Sequence, residues 1–483
     1  MPTPENVRWE ALLPHANLGV AMLIVLILEM VGGKRRAATA TALAAAAAGL
    51  ALTALLLGPT LAEPVFGGTL LHDGLFRLFG SVVVLALLLA LLLLDGRGPH
   101  PCEQVALLLA AGLGMLLLVG ASNLALAFLG LELFSLALYL LCIQPPNRST
   151  AQEAAMKYFL LSSFASAVLL FGFALLYGAS GSLDLARLPE AVSAAGRPLL
   201  VAGMLMAVLG LGFKLAVVPF HQWAPDVYQG APTPVTAFMS VATKAAALAF
   251  LVRLLPGALA GLAGHWQPVL AACAVLTILG ANLAALVQRN LKRMLAWSSV
   301  AHAGYLLMAP LAMAGAPSGD GRALEALAFY LGVYAFMNVG AFAVVSWLEG
   351  ASGTGMDLPA LAGLGSRRPS MALGIGVLML SLAGIPPAGG FFAKFLLFGA
   401  ALAAHWTFLA VVGVLGSLVG AFYYMRVVLV MYAGHSDQPA LPHVPPAVAV
   451  VFWTCVVGTL VSGVLAGLPL DLVQGVLQVA VHP

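Results

Sequence analysis

Long apolar runs separated by short polar stretches dominate the 483 residues of the chain. A helix that crosses the hydrocarbon core of a bilayer needs about 20 apolar residues, and this length predicts fourteen spans. The spans lie near residues 16–32, 38–57, 76–94, 104–120, 122–142, 154–177, 200–218, 232–254, 268–287, 292–313, 323–347, 371–402, 407–431 and 446–468. The pattern therefore predicts an all-α polytopic membrane protein with about 14 transmembrane helices.

Two of these spans contain residues that interrupt a helix. Pro219 breaks the seventh span, and the twelfth is too long for one crossing and contains the segment GIPPAGGFF at residues 384–392. An interrupted helix exposes unpaired carbonyl and amide groups, which a membrane tolerates only beside water or polar partners. We therefore expect a polar, hydrated region next to helices 7 and 12.

The chain also carries an internal similarity. The segment EAAMKYFLLSSFASAVLLFG at 153–172 resembles EALAFYLGVYAFMNVGAFAV at 325–344, and Asp184 corresponds to Asp357. The interrupted spans 7 and 12 are five spans apart, so the two units face opposite sides of the membrane. Inverted repeats with one interrupted helix each are typical of transport sites; the alternative is chance similarity between apolar segments.

The repeats predict a division of the chain into four parts. Residues 1–103 contain three N-terminal transmembrane helices, and residues 104–254 form a first five-helix repeat. Residues 268–431 form a second five-helix repeat, and residues 446–468 form a C-terminal transmembrane helix.

Composition supports the membrane assignment and excludes several functions. Charged residues make up only 8% of the chain and hydrophobic residues 62%, whereas a soluble protein carries roughly a quarter charged residues. The net charge of +3 comes from scattered basic residues, which does not favour nucleic acid binding. The four cysteines are far apart and form no metal or haem motif, so we expect neither a metal site nor a cofactor bound by this chain.

The six lysines are distributed unusually. Lys157, Lys214, Lys244 and Lys394 lie inside predicted spans, whereas the other two, Lys292 among them, lie in predicted loops. An ion at the centre of a membrane helix costs at least about 2.5 kcal/mol. Arginine stays charged, but burial lowers the pKa of a lysine enough for it to exchange a proton. The lysines thus indicate proton transfer.

Polar residues recur at helical spacing around these lysines. One face of span 5 carries Glu132, Ser135 and Tyr139, and one face of span 8 carries Thr233, Thr236, Ser240 and Lys244. Span 10 carries Ser298 and His302, and one face of span 11 carries Tyr330, Tyr334 and Asn338. His302, and His221 after the interruption in span 7, are candidate proton relays. The alternative for the serines and threonines is hydrogen bonding that only joins helices.

Several ordered motifs resemble the antiporter-like membrane subunits of respiratory complex I. They are FLGLELFSLALYLL, EAAMKYFLLSSFASAVLLFGFALLYGASGSLDL, GFKLAVVPFHQWAPDVYQGAPTPVTAFMSVATKAAALAF, NLKRMLAWSSVAHAGYLLM and SLAGIPPAGGFFAKF. The resemblance covers about residues 104 to 430 and is strongest to the N-type subunits. The lysine at position 394 distinguishes the chain from M-type subunits, which carry glutamate there, and L-type subunits carry a long C-terminal extension.

The resemblance implies site residues. Glu132 and Lys214 correspond to a glutamate–lysine pair that acts as a charge switch, Lys244 to a bridging lysine and Lys394 to a terminal lysine. Lys157 and His302 correspond to further members of the half-membrane proton path. Phe329 stands where Lys157 would recur in the second repeat, so the two halves are not expected to perform identical proton steps.

The resemblance also implies a function and partners. The chain is expected to be a proton-translocating subunit of NADH–quinone oxidoreductase in the bacterial inner membrane, without a redox centre of its own. NADH, FMN, iron–sulfur clusters and quinone are expected in partner subunits, and the partners are M-like, K-like and J-like membrane subunits. The alternatives are a subunit of a multisubunit Na⁺/H⁺ antiporter, a ferredoxin- or hydrogenase-linked relative, and a structural scaffold.

Overall fold

A computed structural model describes residues 8–31, 36–61, 64–94, 101–144, 149–192, 197–315, 321–352, 357–433 and 443–478. These residues form α-helices joined by short turns and 3₁₀ segments. The α-helices are α1 (Leu13–Val31), α2 (Arg36–Leu57), α3 (Gly74–Leu93), α4 (Pro101–Gly120), α5 (Leu124–Cys142), α6 (Ser149–Ser180), α7 (Leu188–Val192), α8 (Arg197–Leu215), α9 (Trp223–Gly230), α10 (Thr233–Val252), α11 (Ala263–Leu286), α12 (Leu291–Leu306), α13 (Met308–Gly315), α14 (Arg322–Ser352), α15 (Leu364–Arg367), α16 (Pro369–Ala383), α17 (Gly389–Ala403), α18 (Thr407–Ala433), α19 (Pro446–Val464) and α20 (Gly467–Gln478).

The helices confirm the predicted all-α fold with many membrane-spanning helices. Twelve helical segments of the described residues are long and apolar enough to cross a bilayer, and they coincide with twelve of the predicted spans. The tenth predicted span consists of α12 and α13, and the twelfth of α16 and α17. The sequence did not predict α20, a short apolar helix after the last span.

Both predicted interruptions are present. Helix α8 ends at Leu215 and α9 continues the crossing from Trp223, while α16 ends at Ala383 and α17 begins at Gly389. Gly384 ends α16 in a left-handed conformation, with a φ of 84°, which glycine adopts without steric cost. Its amide donates to Leu380 O at 3.1 Å. Each interruption therefore leaves a non-helical turn within a crossing.

Matched contacts support the predicted repeat. Helix α4 packs against α5 as α11 packs against α12, and α6 contacts α8 and α9 as α14 contacts α16 and α17. Asn123, at the start of α5, forms an isolated β-bridge with Asp184 after α6. Asn290, at the start of α12, forms the same bridge with Asp357 after α14. The division at 104–254 and 268–431 remains a prediction that these pairs support.

The most enclosed helices are α10 and α14. The most apolar part of α10 is entirely buried, and α14 is nearly so. Helix α10 packs against α3, α4, α8 and α14, so it lies inside the helix bundle and has little lipid-facing surface. Side chains near its middle are therefore surrounded by protein.

Paired glycines allow the helices around this centre to approach closely. A Cβ atom on Gly114 of α4 would lie 2.7 Å from Gly130 O of α5, and one on Gly130 would lie 2.8 Å from Gly114 O. Gly172 of α6 and Gly203 of α8 face each other in the same way, at 2.8 Å in both directions. Small residues at such crossings let helix backbones touch. These two contacts fix α5, α6 and α8, which carry the first candidate residues.

Candidate functional site

Lys214 lies near the end of α8, where the first interrupted helix breaks. Its side chain is buried, with 2% exposure. The Nζ atom donates to Ser135 Oγ of α5 at 2.7 Å and to Ser162 Oγ of α6 at 2.6 Å. The amine also lies 5.4 Å from the ring centroid of Phe134. Two hydroxyl groups and an aromatic face therefore replace the water that an ammonium group would need.

Glu132 does not form the expected direct pair with Lys214. Among the ion pairs of the described residues none joins these two side chains, and Glu132 Oε1 is buried without a hydrogen-bond partner. In this structure the serines hold Lys214, and the glutamate–lysine pairing implied by the family resemblance stays a prediction. The physical reason is that Ser135 and Ser162 offer acceptors within hydrogen-bonding distance, which satisfy the amine.

Lys244 lies in the middle of α10 and is 1% exposed. Its Nζ atom donates to Ser299 Oγ of α12 at 2.6 Å and to Ser240 O at 3.2 Å. The hydroxyl of Tyr334, on α14, donates to the same Ser299 Oγ at 2.9 Å. The predicted polar faces of spans 8, 10 and 11 therefore meet at this lysine.

His302 connects α12 to α14 and α18 in the buried interior. Its Nδ1 lies 2.8 Å from Tyr330 OH and its Nε2 lies 3.3 Å from Tyr424 OH. The Tyr424 hydroxyl also hydrogen-bonds Ser298 Oγ. A neutral imidazole has one donor and one acceptor nitrogen, so an exchange of tautomer reverses the roles of both tyrosine contacts. The sequence predicted His302 and Tyr330 but not Tyr424.

Lys394, on α17, closes the second interruption. It is 5% exposed, and its Nζ donates to Leu382 O and Ala383 O, each at 3.0 Å. These carbonyls belong to the last turn of α16 and have no partner within the helix. The side chain therefore joins the two halves of the interrupted crossing.

Aromatic rings lie between the first two lysines. Lys214 Nζ is 5.7 Å from the centroid of Tyr158, and Lys244 Nζ is 5.7 Å from the centroid of Tyr228. Trp223 stacks on Tyr158 at 4.8 Å and contacts Tyr228 edge-on at 5.8 Å. These three rings come from α6 and α9, so the short second half of the interrupted helix separates the two amines.

Tyr305 lies between His302 and Lys394, as the aromatic rings lie between Lys214 and Lys244. The ring centroid of Tyr305 lies 5.7 Å from that of His302, and Lys394 Nζ lies 5.3 Å from it. We name Lys214, Lys244, His302 and Lys394 the buried row. In the part of the chain that the structure describes, no side-chain hydrogen bond directly joins one member of the row to the next. Proton passage along it therefore requires a carrier or a movement of the intervening rings.

Lys157 lies outside the buried row. Its side chain is 41% exposed and pairs with Glu153 and with Asp226, both at 2.7 Å. Asp226, at the start of α9, also pairs with Arg293 of α12 at 2.6 Å. Lys157 therefore lies within a membrane-spanning helix, as predicted, but other helices of this chain do not enclose its side chain.

His221 lies in the turn between α8 and α9 and is only half-buried. Its ring centroid is 5.6 Å from that of Trp297, and its Nδ1 is buried without a hydrogen-bond partner. In the described part of the chain, the ring contact of His221 is to Trp297 and not to a member of the buried row. Its proposed role as a relay stays a prediction.

Lys292 is the residue that the sequence placed most incorrectly. It was expected in a loop, but it lies in the first turn of α12 and is 3% exposed. Its Nζ donates to Ala231 O at 2.8 Å and lies 3.3 Å from Glu349 Oε1 of α14. Its burial depends on a glutamate 57 residues away, so no local pattern could reveal it.

The chemistry available to this site is proton transfer. Amines, an imidazole and hydroxyl groups can each bind or release a proton, and their enclosure keeps competing solvent away. Within the described residues no group of three or more His, Cys, Asp or Glu side chains is arranged for a metal ion. The arrangement fits a membrane path for protons better than a site for a large ligand.

Comparisons with known proteins agree with this geometry. The family model described as NADH:quinone oxidoreductase/Mrp antiporter, transmembrane, matches residues 121–420. NADH-quinone oxidoreductase subunit N 2 of Roseiflexus castenholzii is 43% identical over 83% of this chain and 81% of its own length. Subunit N 1 of the same enzyme from Herpetosiphon aurantiacus is 38% identical over 99% of this chain and 98% of its own.

A solved structure has the same fold. One chain of respiratory complex I from Thermus thermophilus with bound aureothin is 38% identical, covers 95% of this chain and 98% of its own, and superposes with a TM-score of 0.80. The protein is thus a multi-pass protein of the bacterial inner membrane. The chain belongs to the NADH:quinone oxidoreductase/Mrp antiporter transmembrane family.

Proposed function

We propose that this chain is an N-type membrane subunit of NADH–quinone oxidoreductase and that it translocates protons through the buried row. The observation that carries the proposal is the enclosure of three lysines and a histidine between the two interrupted helices, each at most 5% exposed. Because ions are costly in this environment, residues of this kind are retained where proton exchange requires them. The similarity to subunit N proteins from two bacteria supports the assignment.

The first step of the mechanism is a change of partner at Lys214. Ser135 and Ser162 hold its amine in the arrangement described here. Glu132 lies one turn before Ser135 on α5 and has a buried oxygen, Oε1, without a hydrogen-bond partner. In a second arrangement Lys214 leaves the serines and pairs with Glu132. The charge of Glu132 then determines how strongly Lys214 retains its proton, since an opposite charge favours the ammonium form.

The proton then moves along the row to Lys244, His302 and Lys394. Rotation of the Trp223 and Tyr228 rings, or entry of water beside them, opens the passage from Lys214 to Lys244. The Ser299 and Tyr334 hydroxyls lead from Lys244 towards His302. Lys394 delivers the proton to the other side of the membrane through the second interruption.

The driving reaction takes place in partner subunits. Electron transfer from NADH through FMN and iron–sulfur clusters to quinone is assigned to those subunits, and M-like, K-like and J-like membrane subunits are the proposed neighbours. In this scheme Lys157, with Asp226 and Arg293, lies on a face of α6 that a neighbour covers. Lys157 and His221 are proposed to adjust the entry route rather than to carry every proton.

The test is proton transport by the assembled complex. Lys214→Ala and Glu132→Ala are introduced, the complex is reconstituted in liposomes, and protons moved per NADH oxidised are measured. Arg187→Ala serves as the control, because Arg187 is an exposed charge with a partner at 3.6 Å on the surface. We expect both site variants to lower the ratio and the control to retain it. Normal ratios in both variants, with complete assembly, would refute the proposal.

The second candidate function is Na⁺/H⁺ antiport, since the matching family model includes Mrp antiporters. An antiporter subunit would move protons in response to a sodium gradient without any electron donor. Liposomes holding the purified complex are therefore given a sodium gradient in the absence of NADH. Proton movement that depends on Lys214 under this condition would favour the antiporter, as would co-purification without NADH-oxidising subunits.

A purely structural role for the charged residues predicts a different result. In that case Lys394→Met would change the assembly of the complex but not the proton ratio of the complexes that do assemble. A reduced ratio in fully assembled Lys394→Met complex would exclude the scaffold alternative.

A further inference from the structure

An ion pair with a buried lysine lies at one end of α12 and α14 and includes no member of the buried row. Lys292, at the start of α12, pairs with Glu349 near the end of α14, with 3.3 Å between Nζ and Oε1. The lysine side chain is 3% exposed and the glutamate side chain 25%. Glu349 therefore touches both the surroundings of the protein and its interior.

The contacts of Glu349 lead inward. Its Oε2 accepts a hydrogen bond from the hydroxyl of Thr233, the first residue of α10. Thr233 is 3% exposed. A carboxylate that contacts the exterior on one side and a buried hydroxyl on the other is placed to pass a proton between them. Lys292 lies beside this carboxylate, with 3.3 Å between Nζ and Oε1, and pairs with it.

A polar stripe continues from Thr233 to Lys244 along α10. Thr236, Ser240 and Lys244 follow at intervals of three, four and four residues, which places all four on one helix face, and each is at most 3% exposed. Eleven residues of helix span about 16 Å, roughly half the hydrocarbon thickness. The stripe thus connects the Glu349 end of the bundle with the membrane interior.

Unpartnered polar atoms of neighbouring helices face this stripe. Asn338 donates its Nδ2 to Ser240 Oγ at 2.5 Å, but its Oδ1 is buried without a partner. Tyr228 accepts from Thr236 through its backbone oxygen at 3.0 Å, and its own hydroxyl is also buried without a partner. Both side chains are at most 1% exposed. Buried polar atoms of this kind require a partner such as water, and water is also the usual carrier of protons between hydroxyl groups.

We propose that Glu349 exchanges protons with the adjacent aqueous phase and passes them along the Thr233 stripe to Lys244. A proton bound by the carboxylate gives a neutral acid and weakens the pair with Lys292. The acid then donates its proton to the Thr233 hydroxyl, which releases its own proton inward, and the carboxylate pairs with Lys292 again. This inference rests on the proposed function, because it adds to the same proton path an access route that joins the buried row at Lys244, beside the step at Lys214.

Asp226 is a poorer choice for this role. It is held by both Lys157 and Arg293, so two positive charges must be overcome before it binds a proton. Among the described residues, Glu349 pairs with Lys292 alone, and its contact with the Thr233 hydroxyl leads towards Lys244. The difference in partners is the reason for assigning access to Glu349.

The experiment uses the assembled complex in liposomes and measures protons moved per NADH oxidised. Glu349→Gln removes the proton-binding group, and Glu349→Asp retains it. Glu325→Gln is the matched control, because Glu325 lies at the opposite end of the same helix and accepts from Gln474 at 3.1 Å. The double variant Glu349→Gln, Lys292→Met removes both ions, so that no unpaired charge remains to disturb folding.

We expect Glu349→Gln to lower the ratio, Glu349→Asp to restore most of it and Glu325→Gln to retain it. The double variant is expected to stay as low as Glu349→Gln, because the proton-binding group is still missing. A normal ratio in Glu349→Gln, or recovery in the double variant, would overturn the inference, since recovery means that the pair only stabilises the fold. Lys214→Ala is measured in parallel: if it is defective while Glu349→Gln is normal, only the access route is wrong, and if Lys214→Ala is also normal the proposed function itself fails.

Discussion

Replacement of Asp73 by Asn separates two roles of one residue at the start of α3. Arg253 Nη1 donates to Asp73 Oδ2 at 2.8 Å and Nη2 donates to Oδ1 at 2.7 Å, while Arg253 Nε donates to Val119 O. Asp73 Oδ1 also caps α3 by accepting from the amide of Phe76 at 2.8 Å. Asparagine can retain the cap but loses the charge, so Asp73→Asn tests the ion pair that fastens the first three helices to the end of α10.

The size of the effect follows from the exposure of the two side chains. Loss of one partner from a fully buried ion pair costs about 3–5 kcal/mol. The Arg253 side chain is 9% exposed and that of Asp73 29%, so water compensates part of the loss, and we expect about 2–3 kcal/mol. Asp73→Ala also removes the cap and is expected to cost about 1 kcal/mol more.

The assay is unfolding of the detergent-solubilised chain by added SDS, followed by tryptophan fluorescence. The double variant Asp73→Asn, Arg253→Met removes both charges and is expected to recover at least about 1 kcal/mol relative to Asp73→Asn. Equal stability of Asp73→Asn and the original chain would refute the assigned role of the pair. So would a double variant in which the two losses simply add.

The same pair has a predictable dependence on pH. Burial opposes ionisation of Asp73, but the contacts with Arg253 outweigh it, so the pKa of this carboxyl lies below its ordinary value. The stabilisation is therefore complete above the ordinary carboxyl pKa of about 3.9 and is lost as the pH falls through the lowered value. In Asp73→Asn this part of the acid dependence should be absent.

Three further results are expected. Ser162→Ala removes one of the two hydroxyls that accept from the Lys214 amine at the end of α8. Loss of a hydrogen bond to a charged group costs about 1.5–3 kcal/mol, so proton transport should slow by about tenfold to a hundredfold, whereas Ser162→Thr should retain it. Gly384→Ala places a Cβ at a φ of 84° and 2.9 Å from Lys394 Cδ, so it should lower both stability and transport, while Gly376→Ala in the same helix, with nothing within 4 Å, should do neither. Burial lowers the pKa of His72, which lies outside the spans, so thermal stability should fall as the pH drops below about 6.5, and His72→Phe should make this fall shallower.

The sequence predicted the parts of the site that depend on local spacing. Lys214, Lys244 and Lys394 were identified because an amine within an apolar run is conspicuous, and both interruptions because proline and glycine break helices wherever they occur. Helical periodicity also placed Ser240 beside Lys244 and Tyr334 in the same region. These properties need only the neighbouring residues and the thickness of a membrane.

The remainder depended on contacts between distant helices. Lys292 resembled a loop residue because its partner Glu349 is far away along the chain. The expected contact between Glu132 and Lys214 required a choice of acceptors that only the packing of α5, α6 and α8 decides. Lys157 lies in an apolar segment, as a buried membrane lysine would, but the uncovered face of α6 leaves its side chain partly exposed. These contacts depend on which helix surfaces pack together, and a single sequence does not show that packing directly.

The position of Lys394 has a mechanical consequence. Its amine holds the two terminal carbonyls of α16, which form the negative end of that helix, so the electrical state of one side chain and the geometry of a backbone joint are tied together. When the ammonium group loses its charge, the partial negative charges of these carbonyl oxygens are no longer compensated. The end of α16 is then free to bend. The gain or loss of one proton at Lys394 can therefore move α16 relative to α17.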